Sequence, residues 1–200
     1  YFLLGHSMGS FMARRYIMTY GMDLDGAILC GTGRKSHLIL MVGELVSNIQ
    51  RALFGDRFRS RLLRKSAFGG YLKRISKPRT ESDWLTRDEK IVDFCRGNKY
   101  CSFSFTINGY RTMFDVLQFI QNKRNINRIP KELPLFFIAG GEDPVGHYGK
   151  DVQKISASYK KAGVDMVSVK IYPQDRHEIL NELDRNQVYQ DVISWLNVLS

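Results

Sequence analysis

Three residues far apart in the chain are of the types that acyl-transfer chemistry needs. Ser7 stands in Gly5-His6-Ser7-Met8-Gly9, Asp143 in Gly140-Gly141-Glu142-Asp143-Pro144, and His177 in Pro173-Gln174-Asp175-Arg176-His177-Glu178. The first is the G-x-S-x-G pattern of a nucleophile elbow. A serine hydroxyl is a weak nucleophile and needs a base to take its proton. A histidine can do that, and a carboxylate can fix the histidine's tautomer and stabilise its charged form.

Each residue type has a physical reason to be where it is. At a sharp strand-to-helix turn Ser7 occupies a strained backbone position, and neighbouring groups come close, which asks for small residues at Gly5 and Gly9. The helix that follows aims free N–H groups and the positive end of its dipole at the reacting centre. The backbone N–H of Met8 is the expected oxyanion donor. An ordinary Gly-rich turn is the alternative, but the setting between an apolar run and an amphipathic stretch favours the elbow.

The acid should follow a strand, and Asp143 lies just past Leu133 to Ala139. Pro144 biases it to an extended conformation. Glu142 competes, and the place beside the proline favours Asp143. The base should follow the last strand, and His177 follows Met166 to Tyr172. Of the other histidines, His6 lies inside the elbow and is expected to face away from the serine hydroxyl. His37 opens an insertion, and His147 is expected to support the acid loop.

These residues need a frame. Tyr1–Leu4, Ala27–Cys30, Leu133–Ala139 and Met166–Tyr172 read as short buried strands, each stopped by Gly or Pro. Met8–Tyr20, Leu38–Phe54, Arg87–Phe94, Tyr110–Gln121, Val152–Lys161 and Val188–Leu199 carry apolar residues at helical spacing. Phe11, Met12, Tyr16 and Ile17 or Tyr20 are expected on one face of the first helix. The alternation implies an α/β class with a mostly parallel sheet covered by helices on both faces.

Composition sets the remaining bounds. The 200 residues are 44% hydrophobic and 25% charged, as in ordinary globular domains. The net charge of +10 first suggests nucleic acid or an anionic membrane. Between Arg51 and Arg79, however, ten basic residues face only Asp56, and the rest of the chain is close to neutral. The charge therefore belongs to one segment, where Phe54, Phe58, Leu62, Leu63 and Phe68 interleave with the arginines. Such a segment can lie on anionic lipid or be a solvated face; no nucleic-acid motif accompanies it. Three loosely spaced cysteines argue against a disulfide framework and suggest a reducing, cytoplasmic setting. No cofactor or metal site is indicated.

The chain resembles an α/β-hydrolase of the monoacylglycerol lipase and bacterial lysophospholipase type. The likeness is carried by Gly5-His6-Ser7-Met8-Gly9-Ser10, by Gly140-Gly141-Glu142-Asp143-Pro144-Val145-Gly146 and by Asp175-Arg176-His177-Glu178-Ile179-Leu180-Asn181-Glu182, with Asp83-Trp84-Leu85-Thr86-Arg87-Asp88 similar to the cap of bacterial members. It implies a triad of Ser7, Asp143 and His177, acting on acyl esters such as lysophospholipids through an acyl-enzyme and possessing no cofactor. It implies a core from residues 1–33 and 129–200 and a helical cap or lid from residues 34–128, whose basic part could touch an anionic membrane at the cell periphery. Family members carry strands before the elbow, and those supply the second oxyanion donor. The resemblance therefore implies that this chain is the C-terminal part of the fold, lacking its N-terminal strands. Prolyl aminopeptidase and thioesterase activities belong to the same fold and stand as alternatives, beside a basic membrane- or nucleic-acid-binding module.

Overall fold

Apolar runs bounded by glycine and proline form four parallel strands: β1 (Phe2–His6), β2 (Gly26–Cys30), β3 (Leu135–Gly140) and β4 (Val167–Tyr172), side by side in chain order. The computed structural model describes every residue except Ser102 and Ser200. β2 and β3 are buried along their whole length, as strands covered on both faces must be. The pairing sets Leu4 against Ile28, Leu29 against Phe137 and Phe137 against Val169. All four C-terminal ends therefore emerge along one edge of the sheet, the edge where open α/β folds bind ligands.

Side-chain alternation separates two hydrophobic layers. Leu29, Leu135, Phe137 and Ala139 point to one face, where α1 (Met8–Tyr20) and α7 (Lys150–Lys161) pack. Ile28, Cys30, Phe136 and Ile138 point to the other, covered by α8 (Arg185–Val198) through Val188, Val192, Trp195 and Leu196. Trp195 stacks on Phe136 with ring centroids 5.6 Å apart.

The long connection between β2 and β3 holds five helices: α2 (His37–Phe54), α3 (Arg61–Phe68), α4 (Glu89–Gly97), α5 (Ile107–Gln121) and the single turn α6 (Lys123–Ile126). Side-chain caps start them: Ser36, Ser60, Asp88 and Thr106 each accept a backbone N–H from the first turn of the helix they precede. α5 packs on both α2 and α1, so the hydrophobic cluster runs unbroken from the strands into this connection.

The strand and helix expectations match within a few residues at their ends, and two helices go beyond them. α3 was hidden because its arginines and lysine mask the turn set by Ser60, and α6 is a single turn.

The buried face of α1 is not the one that apolar spacing picks out. It carries Phe11, Ala13, Ile17 and Met18, whereas Met12, Tyr16 and Tyr20 are exposed. Both stripes have helical spacing, and contact with β1 and β2 selects the one with small Ala13. The stripe on α2 likewise turns outward. Ile39, Val42, Leu45, Ile49 and Leu53 are 51–69% exposed, and only Leu40 and Ser47 of that helix are buried. Among the described residues no helix is long and apolar enough to cross a membrane.

Candidate active site

Ser7 closes β1 and caps α1 with φ 54° and ψ −122°, a conformation L-residues rarely adopt. Its N–H donates to the carbonyl of Cys30 at 3.0 Å, which fastens the turn to the end of β2. Ser10 holds the other side, its hydroxyl donating to Ser7 O at 2.5 Å. A Cβ on Gly5 would lie 2.5 Å from Gly9 O and 2.7 Å from Ala13 Cβ, so no side chain fits there. The crowding expected at Gly9 is not found: a Cβ there meets nothing within 4 Å among the described residues. It is the Gly9 backbone, not its missing side chain, that crowds the turn. Met8 is the first residue of α1, where backbone N–H groups lack intrahelical acceptors.

Asp143 is fully buried in the loop after β3. Its Oδ1 accepts the N–H of Val145 at 2.8 Å, and its carbonyl accepts that of Tyr148 at 2.8 Å. The loop then passes through left-handed conformations at His147, Tyr148 and Gly149 before α7 begins. Oδ2 is left facing the imidazole of His177, 3.0 Å from Nδ1. Neither atom has another hydrogen-bond partner among the described residues, so they are each other's polar neighbour. A carboxylate can only accept, so in the neutral imidazole the proton sits on Nδ1 and the lone pair of Nε2 is free. That Nε2 lies 2.7 Å from Ser7 Oγ.

His177 itself is 1% exposed. Burial acts to lower its pKa, but the Asp143 carboxylate, helped by Glu178, outweighs burial and holds it above the ordinary 6.5. Glu142, the rival acid, points to solvent one residue away. His6 Nε2 lies 3.2 Å from the carbonyl of His177, with the two rings 4.8 Å apart, so it braces the His177 imidazole. Burial, then the charge of His177, depresses the His6 pKa, against Glu178. His37 begins α2, and His147 stays in the loop that carries Asp143, two residues before Gly149.

Three contributions went unread in the sequence. Gly31, with φ 59°, passes so close that a Cβ would sit 3.1 Å from His177 Cε1. Trp84, on the connection between α3 and α4, sets its indole 5.1 Å from the imidazole and accepts the His177 N–H at 3.4 Å. Arg87 grips the loop that carries His177 through Asp175 at 2.7 Å and Glu182 at 3.1 Å. The only available signal was the Trp84–Arg87 sequence itself, which gives no partner.

The family model described as serine aminopeptidase, S33, matches residues 1–184. Among solved structures, a highly thermostable carboxyl esterase from Bacillus coagulans superposes with a TM-score of 0.90 at 31% identity, covering 100% of this chain and 64% of the esterase. A lipase in its open form superposes at 0.88 with 23% identity, over 99% of this chain and 64% of the lipase. A monoglyceride lipase from Saccharomyces cerevisiae superposes at 0.72 with 18% identity, over 100% and 62%. The chain thus spans less than two thirds of the length of these structures. No functionally curated protein matches it by sequence.

Proposed function

The chain belongs to the serine aminopeptidase S33 family of the α/β-hydrolase superfamily, and from that premise we propose that it is a serine hydrolase of carboxylic esters, with substrates of the monoacylglycerol or lysophospholipid class. The observation that supports this is one imidazole spanning two partners, Nε2 at 2.7 Å from Ser7 Oγ and Nδ1 at 3.0 Å from Asp143 Oδ2.

In this reading His177 Nε2 takes the Ser7 hydroxyl proton as Oγ attacks the ester carbonyl. The developing oxyanion faces the N–H of Met8 at the α1 N-terminus. Collapse expels the alcohol, which leaves with the proton from His177, and Ser7 carries the acyl group. Water then gives its proton to His177, attacks the acyl-enzyme and releases the acid, and the proton returns to Ser7. Asp143 compensates the imidazolium at both stages.

The aminopeptidase reading asks for a carboxylate free to hold an α-amino group. Those on the loop that carries His177 are engaged: Glu178 by Asn181 at 3.0 Å, and Asp175 and Glu182 by Arg87. That favours the ester. An ester with an acyl chain also gives the outward stripe of α2 a use. Together with Phe58 and the cationic stretch that follows, it forms an amphipathic surface suited to an anionic lipid interface.

The test is Ser7→Ala in the full-length protein. Turnover of long-chain esters should fall by roughly a thousandfold or more, and a fluorophosphonate should label wild type at Ser7. Wild-type turnover in Ser7→Ala overturns the proposal.

A further inference from the structure

Outside the residues already given a chemical role, one cluster stands out. The loop bearing His177 contains two carboxylates with fully buried side-chain positions, Asp175 and Glu182, and a third, Asp184, at its far end. Ligand oxygens of all three lie within 4.8 Å of one another. Two buried acids with an exposed third this close to them need a compensating charge. It comes from the cap side. The Arg87 guanidinium donates to Asp175 at 2.7 Å, Asp184 at 2.8 Å, Glu182 at 3.1 Å and Gln174 at 3.2 Å. One planar fork with five N–H donors meets four acceptors on a single loop, a geometry that an ammonium cannot reproduce.

The backbone is joined across the same seam. Glu182 Oε1 accepts the N–H of Arg87 and the N–H of Arg176, each at 3.0 Å. Arg176 returns its guanidinium to the carbonyls of Asp83 and Thr86. The N–H groups of His177 and Glu178 donate to the carbonyls of Trp84 and Leu85. Residues 83–88 and 174–184 therefore form one hydrogen-bonded strap, with Arg87 its only cation reaching all three carboxylates.

We propose that Arg87 is a positioning residue for the base: by neutralising Asp175, Glu182 and Asp184 it holds the 174–184 loop closed on residues 83–88 and so fixes the His177 imidazole between Ser7 and Asp143. The inference rests on the serine-hydrolase reading above. Asp175 feels the balance directly, since burial and then the neighbouring Asp184 and Glu182 push its carboxyl up to about 7 while Arg87 pulls it down. Without the guanidinium the loop keeps its acids and loses their counter-charge. The His177 N–H and imidazole then move together, because both hang on the same strap. Misplacement of a catalytic group by about 1 Å costs on the order of a hundredfold in rate.

The experiment compares wild type, Arg87→Lys, Arg87→Met and Arg87→Met/Asp175→Asn in the full-length protein, with Ser7→Ala as control. Active sites are titrated with a fluorophosphonate, and kcat is expressed per labelled site. The expected result for Arg87→Lys is a kcat per site lower by roughly ten- to a hundredfold, slower labelling to the same endpoint, and KM within twofold. Arg87→Met should fall further, and Asp175→Asn should recover part of that loss. A purely structural role lowers the labelled fraction but leaves kcat per site alone. Wild-type kcat per site in Arg87→Lys, with Ser7→Ala inactive, overturns this inference and leaves the enzyme reading intact. Full turnover in Ser7→Ala overturns the enzyme reading, and the inference falls with it.

Discussion

Gly31 and His177, far apart in the chain, approach so closely that a single methyl at Gly31 would stand 3.1 Å from the imidazole Cε1 and 3.3 Å from Nδ1. The end of β2 is thus the floor on which the His177 ring rests. Gly31→Ala should strain the left-handed backbone by about 1–2 kcal/mol and push the ring off its line to Ser7. Ester turnover should fall by roughly tenfold or more with KM little changed. Unaltered kcat in a folded Gly31→Ala protein would remove this role.

The direction of the His177 shift sets the pH dependence. The base works only when neutral, and a pKa above 6.5 keeps it protonated to higher pH. The acid limb of kcat/KM should therefore have its midpoint above 6.5, with activity rising as pH rises through it. A midpoint well below 6.5 would mean that another group takes the serine proton.

Asp143 and Glu142 are adjacent but differ in burial, and the two should separate cleanly. Asp143→Asn should cost on the order of a thousandfold or more in kcat, because an amide there permits the wrong imidazole tautomer. Glu142→Gln should stay within twofold of wild type. The reverse pattern in a steady-state ester assay would reassign the acid.

The stripe on α2 is exposed and includes none of Ser7, Asp143 and His177, so its substitution should separate interface from chemistry. Leu45→Gln with Ile49→Gln should leave hydrolysis of a short soluble ester unchanged. Binding to phosphatidylserine-containing vesicles should weaken several-fold, and what remains should fall with added salt. Equal vesicle binding by wild type and variant would exclude this face.

Arg14 supplies a stability test. Its buried guanidinium donates to Tyr159 OH at 2.9 Å and Gly33 O at 2.9 Å, and reaches Thr32 and Ile120, joining α1, α5, α7 and the end of β2. Arg14→Met leaves those acceptors unpaired and should cost about 3 kcal/mol, read as a lower urea midpoint with unchanged m-value.

Much of the frame was legible because its signals are local. Glycine and proline bound each strand, and Ser7, Asp143 and His177 each follow one, so their convergence at one sheet edge could be read in advance. What was not legible depends on distance or on direction. Periodicity in α2 reveals a stripe and says nothing about whether it faces α5 or solvent. Two stripes in α1 were equally regular, and only the approach to the sheet chose between them. Arg87 meets Asp175 and Glu182 across some ninety residues, and no pattern in the chain pairs a cation with acids so remote. The crowding at Gly31 and its absence at Gly9 are likewise properties of neighbours brought in by the fold.

The strap between residues 83–88 and 174–184 also bears on how such a protein can be rebuilt. Insertions in α/β folds invite exchange, since a loop with its ends fixed on the sheet can be cut out and replaced. Here the connection between β2 and β3 carries Arg87, the proposed clamp for the loop that bears His177. A graft that brings in a foreign lid to change substrate choice should succeed only if the Asp83–Asp88 stretch travels with its host, leaving the helices on either side as the interchangeable parts.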